Sequence, residues 1–264
     1  MKTLYLSPKL EQTEIDSPNR HDWARPTWNI DIWFELLFWS WKGESINIPL
    51  SFMRKWADNS LKQTTDCMKK EYIAAIGNFL STYYTDLNYI RNFQRFKHGK
   101  ISSADILLKD IGTFYSFLIE FRIIRNISQG SADRLLQETI NWVNGKNADN
   151  VDLFAKRLCK TNLTRGHVVT SMASKVLFLN NPWSIIPMDA LARKALKQRE
   201  NIYSVYTDNL KKYRKENKLV LDNFIKYTKP MTSIVDIEFK KELKDLKTIC
   251  INRAVDKLLW TSGK

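Results

Sequence analysis

The sequence predicts an all-α protein of two packed helical subdomains. Three observations carry this. Apolar residues recur at three- and four-residue spacing through most of the chain, and no alternating period-two stretch persists. Only 8 glycines and 7 prolines occur in 264 residues, too few for a turn-rich β protein. The turn-prone stretch Asn144-Gly145-Lys146-Asn147 separates two helix-rich halves. The expected organisation is a flexible N-terminal arm over 1–26, a helical subdomain over 27–146 and a second over 147–264.

The arm holds Pro8 and Pro18 among polar residues and shows no helical stripe. From Trp28 to Trp41 the chain is apolar nearly all round, which predicts a helix buried on most sides and ended by Gly43. Pro49 suits the first turn of a short helix reaching Trp56. Met68, Tyr72, Ile76, Phe79 and Leu80 predict a helix over Thr65–Tyr84. Tyr89 to Lys100 then interleaves aromatics with cations; this fits either a nucleic-acid surface or an amphipathic helix with a solvated basic face. Ser102-Ser103-Ala104-Asp105 predicts a helix start, with a core face running as far as Arg122. Further helices are expected over Ala132–Val143, Asp152–Leu158, Val168–Leu179, Asp189–Leu196, Asn201–Lys215, Leu219–Tyr227 and Ile234–Trp260.

Charge is the unusual feature. The chain carries 42 Lys+Arg against 28 Asp+Glu, a formal net charge of +14. Solubility alone needs less, so a polyanionic partner is expected, nucleic acid first and an acidic membrane surface second. A generally lysine-rich proteome would produce the same number. Cys67, Cys159 and Cys250 are too few and too widely spaced for a disulfide framework or a metal knuckle. His21, His98 and His167 show no ligand spacing, so no metal is expected. Residues 1–14 lack the apolar core of a leader, and no apolar run reaches the ~20 residues of a membrane span. A cytoplasmic location and a monomer are expected. Glycine-rich phosphate loops and the G-x-S-x-G elbow are absent, so ATPase, dehydrogenase and α/β-hydrolase functions lose support.

The most informative stretch runs from Arg165 to Leu196 and reads helix, loop, helix. Val168, Met172, Val176 and Leu179 form one stripe, Asn180-Asn181-Pro182 stops it, and Asp189 stands where the next helix begins. Asp189 has two compatible readings. It is an N-cap for the free amides of the first turn, or it is a carboxylate for stabilising a cationic transition state or orienting a water.

The residues Ala173-Ser174-Lys175-Val176-Leu177, Asn181-Pro182, Ile186-Pro187-Met188-Asp189 and Arg193-Lys194-Ala195-Leu196 resemble the core of the helix-hairpin-helix DNA glycosylases and their divergent bacterial relatives. The resemblance covers roughly residues 150–200. It implies a helix-hairpin-helix glycosylase-like fold, with Asp189 as the essential aspartate and Lys175, fourteen residues earlier, as the candidate amine that attacks the sugar. Thr164-Arg165-Gly166-His167 stands where the family usually has Leu-Pro-Gly-Val-Gly. The resemblance admits repair of damaged bases or attack on modified bases of phage DNA, and the altered hairpin favours the second.

The expected activity is therefore a monofunctional DNA N-glycosylase acting by base flipping on double-stranded DNA, with no cofactor. Arg165, Gly166, His167, Arg193 and Lys194 are the candidate phosphate contacts. Trp183, in the loop before Asp189, either walls the base pocket or anchors a surface loop. Five of the nine tryptophans lie between Trp23 and Trp41; Trp33 and Asp31 are the candidates there for the base pocket, with core packing as the other reading. The alternative function is a non-catalytic helical nucleic-acid-binding protein, which would need Asp189 only as a cap.

Overall fold

The computed structural model describes Thr3–Leu4, Ile48–Pro49 and residues 70–264. The expected helices over 28–41 and most of 49–56 lie outside the described residues. Among those described, the chain is all-helical except for one short ladder. β1 (Thr3–Leu4) pairs antiparallel with β2 (Ile48–Pro49), in the register Thr3 to Pro49 and Leu4 to Ile48. Pro49 was expected inside a helix; it sits instead at the end of a two-residue strand, where its missing N–H costs little.

The chain divides into two units, Met1–Tyr84 and Thr85–Lys264. The division falls inside α1 (Lys70–Lys97), one uninterrupted helix of 28 residues. In the first unit, Ala75, Phe79 and Tyr83 recur at helical spacing and are fully buried; the rings of Phe79 and Tyr83 lie 5.0 Å apart. The aromatic and cationic stretch beyond residue 89 belongs to the same helix. Its polar groups are used within the second unit. Tyr89 donates to Glu120 at 2.6 Å, Arg91 bonds Glu238 at 3.3 Å, and Lys97 donates to Asn180 at 2.8 Å. As far as Lys97 the stretch is tied into the second unit, while His98 and Lys100 beyond the helix are exposed.

The second unit continues through α2 (Ser103–Ile106), α3 (Phe114–Glu120), a 3-10 turn at Ile124–Asn126, α4 (Ala132–Val143) and α5 (Val151–Lys160). One helix from Ser103 to Arg122 was expected. It breaks because Gly112 takes φ +84° against α1, where a Cβ would run into the side chain of Asn88, and Asn92 donates to the Gly112 carbonyl at 3.0 Å. Thr113 then caps α3. The turn at 144–147 lies within the second unit. The helices flanking it, α4 and α5, both pack on the next helix, α6 (Thr170–Asn180), so the turn links neighbours within one layer.

After α7 (Ala190–Ala195) and α8 (Tyr203–Glu216), α9 runs from Lys218 to Phe239. It was expected to stop near Tyr227, yet it passes Pro230 unbroken. Pro230 removes the bond to the Lys226 carbonyl, yet the turns on either side remain helical, and buried Tyr227, Thr228, Met231 and Thr232 hold this part of the helix in the core. The expected long final helix starts later, at α10 (Leu246–Ser262), where Asp245 caps the first turn. α10 packs against both α7 and α9 and is buried on most sides. No described helix is long and apolar enough to cross a membrane.

Candidate active site

Asn181 to Met188 is an irregular strap joining α6 to α7. Pro182, Ile185, Ile186, Pro187 and Met188 are all buried in it. Buried peptide groups must find partners, and among the described residues no neighbouring strand supplies them. Side chains do so instead. The Tyr203 hydroxyl accepts from the Ile186 N–H and donates to the Ile186 carbonyl, both at 3.0 Å. Tyr206 donates to the Pro187 carbonyl at 3.1 Å. The Ser174 hydroxyl accepts from the Met188 N–H at 2.9 Å. Asn252 donates to the carbonyls of Pro182 and Trp183 at 2.7 and 2.8 Å. Burial raises the pKa of both tyrosines, so they remain neutral hydroxyls. Four side chains from α6, α8 and α10 thus fix the backbone that leads to Asp189.

Asp189 leaves the strap in an extended conformation and caps α7, its Oδ1 accepting from the Ala192 N–H at 2.8 Å. The cap occupies one carboxylate oxygen with one amide. The side chain is half-buried.

Lys175 projects from α6, one residue after Ser174, and its amine donates to the Phe121 carbonyl at 3.2 Å. Burial lowers its pKa. The carboxylates of Asp189 and Asp256 oppose that shift, and Arg125 and Arg122 add to it. The amine therefore lies within the fields of two carboxylates from two other elements.

Asp256 comes from α10 and was not anticipated. Its Oδ2 accepts from Arg253 at 2.9 Å, and its side chain keeps 14% of its surface accessible. Burial raises its pKa; Arg253 and Lys257 oppose this, while Asp189 and Asp86 reinforce it. Arg253 is itself fully buried. Its Nε and one terminal nitrogen both bond Asp86 Oδ2, at 2.8 and 2.6 Å, and its guanidinium lies 5.1 Å from the centre of the Phe178 ring. Neighbouring Lys257 is driven toward its neutral form, first by burial and then by Arg253. Lys175, Asp189 and Asp256 lie within one another's electrostatic reach.

The other expected site residues fall in three places. Arg165, Gly166 and His167 are exposed on the connection between α5 and α6, which makes these two helices a hairpin. Arg165 and Gly166 both take positive φ, 52° and 77°, and the turn is closed by the His167 N–H on the Thr164 carbonyl at 3.0 Å. Arg193 and Lys194 lie on α7; Arg193 donates to the Arg199 carbonyl at 3.1 Å, and exposed Lys194 reaches the backbone of Lys264 at 3.4 Å. The indole N–H of Trp183 is bound to the Lys244 carbonyl at 2.6 Å, tying the strap to the turn before α10. Trp33 and Asp31 lie outside the described residues. Among the described residues no cluster of three or more His, Cys, Asp or Glu is arranged to hold a metal ion.

A helix hairpin, a strap and a capping aspartate thus carry an amine that feels the charges of two carboxylates. No family model, curated protein or solved structure matches the chain.

Proposed function

We propose that this chain is a DNA N-glycosylase that hydrolyses the bond between a modified base and C1′ of its sugar. The observation that carries the reading is the convergence of Lys175 and Asp189, which α6, the strap and α7 bring into one electrostatic neighbourhood. Breaking an N-glycosidic bond leaves a cationic sugar, and a fixed carboxylate beside C1′ stabilises it. Asp189 is fixed by its own helix and by the hydrogen-bonded strap. The base must leave the duplex to reach such a site, and cations must hold the flanking phosphates while it does. Exposed Arg165 and His167 at the hairpin tip, with Arg193 and Lys194 on α7, are the groups assigned to that grip. The altered hairpin sequence favours modified phage DNA as the substrate over ordinary damaged DNA.

The test is abasic-site formation in duplexes carrying oxidised, alkylated or deaminated bases and in phage DNA with hypermodified cytosine. Wild type is expected to give alkali-dependent strand breaks on at least one of these. Asp189→Asn retains a capping side chain and is expected to melt with wild type yet lose the breaks. Salt-sensitive binding with no base release by wild type would move the assignment to a non-catalytic nucleic-acid-binding protein.

A second reading of the chemistry is favoured by Lys175. Its lowered pKa enlarges the share of free amine, the form able to attack C1′ and form a Schiff base. Borohydride trapping of a covalent protein–DNA adduct, lost in Lys175→Gln, would establish that route.

A further inference from the structure

We infer that Arg122 and Arg125, on the segment between α3 and α4, form a second clamp for the phosphate backbone of DNA beside the hairpin of α5 and α6, an assignment that rests on the DNA binding of the proposed function and not on base release.

The segment 121–128 is held at both ends by hydrogen bonds. At its start the Phe121 carbonyl accepts the Lys175 amine from α6 at 3.2 Å, and the Phe121 ring lies 4.3 Å from that of Phe117. At its end the Ile127 carbonyl accepts the Arg165 guanidinium at 3.1 Å, and the Ser128 N–H donates to the Leu163 carbonyl at 3.1 Å. Ile123 and Ile127 are buried, whereas Arg122 and Arg125, interspersed with them, are exposed. Two arginines thus stand on backbone that is fixed against the hairpin tip at one end and against α6 at the other.

Arg122 occupies a place where glycine would be easier. α3 closes with the Arg122 N–H on the Ile119 carbonyl at 2.9 Å and the Ile123 N–H on the Leu118 carbonyl at 2.7 Å. This helix ending needs a left-handed residue between its two bonds, most often glycine. Arg122 takes that conformation, with φ 55°, and Arg165 in the hairpin does the same at 52°. A side chain at such a φ strains the backbone. No ion pair or side-chain hydrogen bond of Arg122 or Arg125 forms among the described residues, so contacts within the fold do not explain the two cations.

The charge around them is of one sign. No Asp or Glu occurs from 121 to 132 or from 153 to 188, the two segments that meet here. The acids that border them are engaged: Glu120 accepts the Tyr89 hydroxyl at 2.6 Å, and Asp152 accepts the N–H groups of Tyr203 and Ser204 at 2.8 and 3.0 Å. Both arginines act on the Lys175 amine, adding to the lowering of its pKa that burial begins. Guanidinium groups on fixed backbone, with no acid to compete, suit phosphate oxygens, which each fork can take in pairs. A strand laid along the segment runs from the hairpin tip to the end held by Lys175, so the backbone it grips leads toward the candidate amine. These contacts position the strand and do not read its sequence.

Fluorescence anisotropy of a labelled, unmodified duplex over a range of salt concentrations tests this. Arg122→Gln with Arg125→Gln is expected to flatten the fall of log K with log salt by about two, and Arg122→Lys with Arg125→Lys to keep the wild-type slope. Arg122→Gly is expected to flatten it by about one while melting no lower than wild type, because glycine adopts this φ without strain. A wild-type slope in the double Gln variant overturns the assignment, whether affinity is kept or lost. Binding of wild type to phosphatidylserine vesicles that the double Gln variant loses, with its slope on DNA unchanged, would assign these arginines to a membrane surface instead. If the slopes shift as expected and wild type excises no base, the clamp stands and the glycosylase reading falls. If wild type excises a base and the variants keep its slope, the clamp falls alone; if wild type does not bind the duplex, both fall. Should the double Gln variant fail to fold, exposed Arg125 is replaced alone by Glu: a flatter slope supports the clamp and an unchanged one overturns it.

Discussion

Arg253 carries a full charge into the interior, and it is tolerated because two carboxylates meet it. Asp86, itself buried, accepts two bonds from it, and Asp256 accepts a third. Breaking such a pair strands the surviving charge, which costs about 3–5 kcal/mol, whereas replacing both members with apolar groups is often close to neutral. Arg253→Met is therefore expected to destabilise the second unit by that amount in urea melts. Adding Asp86→Leu should recover much of the loss, and simple additivity of the two substitutions would mean that the pair does not interact. Half of this arrangement was legible. Ile249, Ala254 and Leu258 recur at helical spacing and are buried, and Arg253 sits on the same face. Which acid was beyond reach, since Asp86 lies 167 residues away in sequence. The cap at Asp189 was legible because its signal is local, a proline-terminated helix followed by a helix start within one short window, whereas Lys175 was singled out only by the resemblance. Asp256 gave no such signal, being one acid among lysines on a helix that read as amphipathic.

At the scale of elements, the position of Asp189 depends on how closely α7 and α10 approach. Gly263, just beyond α10, makes that approach possible. Its φ of −85° suits any residue, so conformation is not the reason for glycine here. A Cβ at this position would overlap the Leu191 carbonyl and its Cα, which are backbone atoms that cannot rotate away. Gly263→Ala is expected to push α10 off α7, costing about 1–3 kcal/mol by overpacking and, under the proposed function, lowering base release by displacing Asp189. A variant with unchanged melting and unchanged activity would show that the two helices part without consequence. The strap shows the same dependence. Tyr206→Phe removes only the hydroxyl and leaves the Pro187 carbonyl without its partner, a loss of about 1–3 kcal/mol for a buried acceptor, read as a lower melting temperature. Two of the misplaced boundaries are not matters of propensity: helix was expected through Gly112, where it breaks, and a stop near Tyr227, where it continues. Gly112 interrupts helix because α1 crowds it, and Pro230 fails to interrupt helix because packing on α10 holds α9 together. Tertiary contacts decide both, and a window of sequence does not contain them.

At the scale of the whole molecule, the net charge of +14 overstates what is free to meet DNA. Arg91 and Arg95 are paired with Glu238 and Glu242, Lys97 is bound to Asn180, and Arg253 is buried. Arg214, whose pKa is lowered by burial, is spent on Asn252. The cations left on the surface near the proposed site include Arg165 at the hairpin tip and Lys194 on α7, neither of which has an acidic partner among the described residues. Under the proposed function the chain would bind duplex DNA chiefly through phosphates, since the base to be excised has left the stack. Each phosphate neutralised releases counterions, so log K against log salt should fall with a slope of about −0.9 per contact. Replacing Arg165 and Lys194 together with Gln should weaken binding uniformly across sequences and flatten that slope by about two. Fluorescence anisotropy with a labelled duplex over a range of salt concentrations measures this directly. A slope unchanged in the double variant would place the phosphate grip elsewhere on the molecule, and the hairpin between α5 and α6 would then serve only to set the pitch of α6 beneath Lys175.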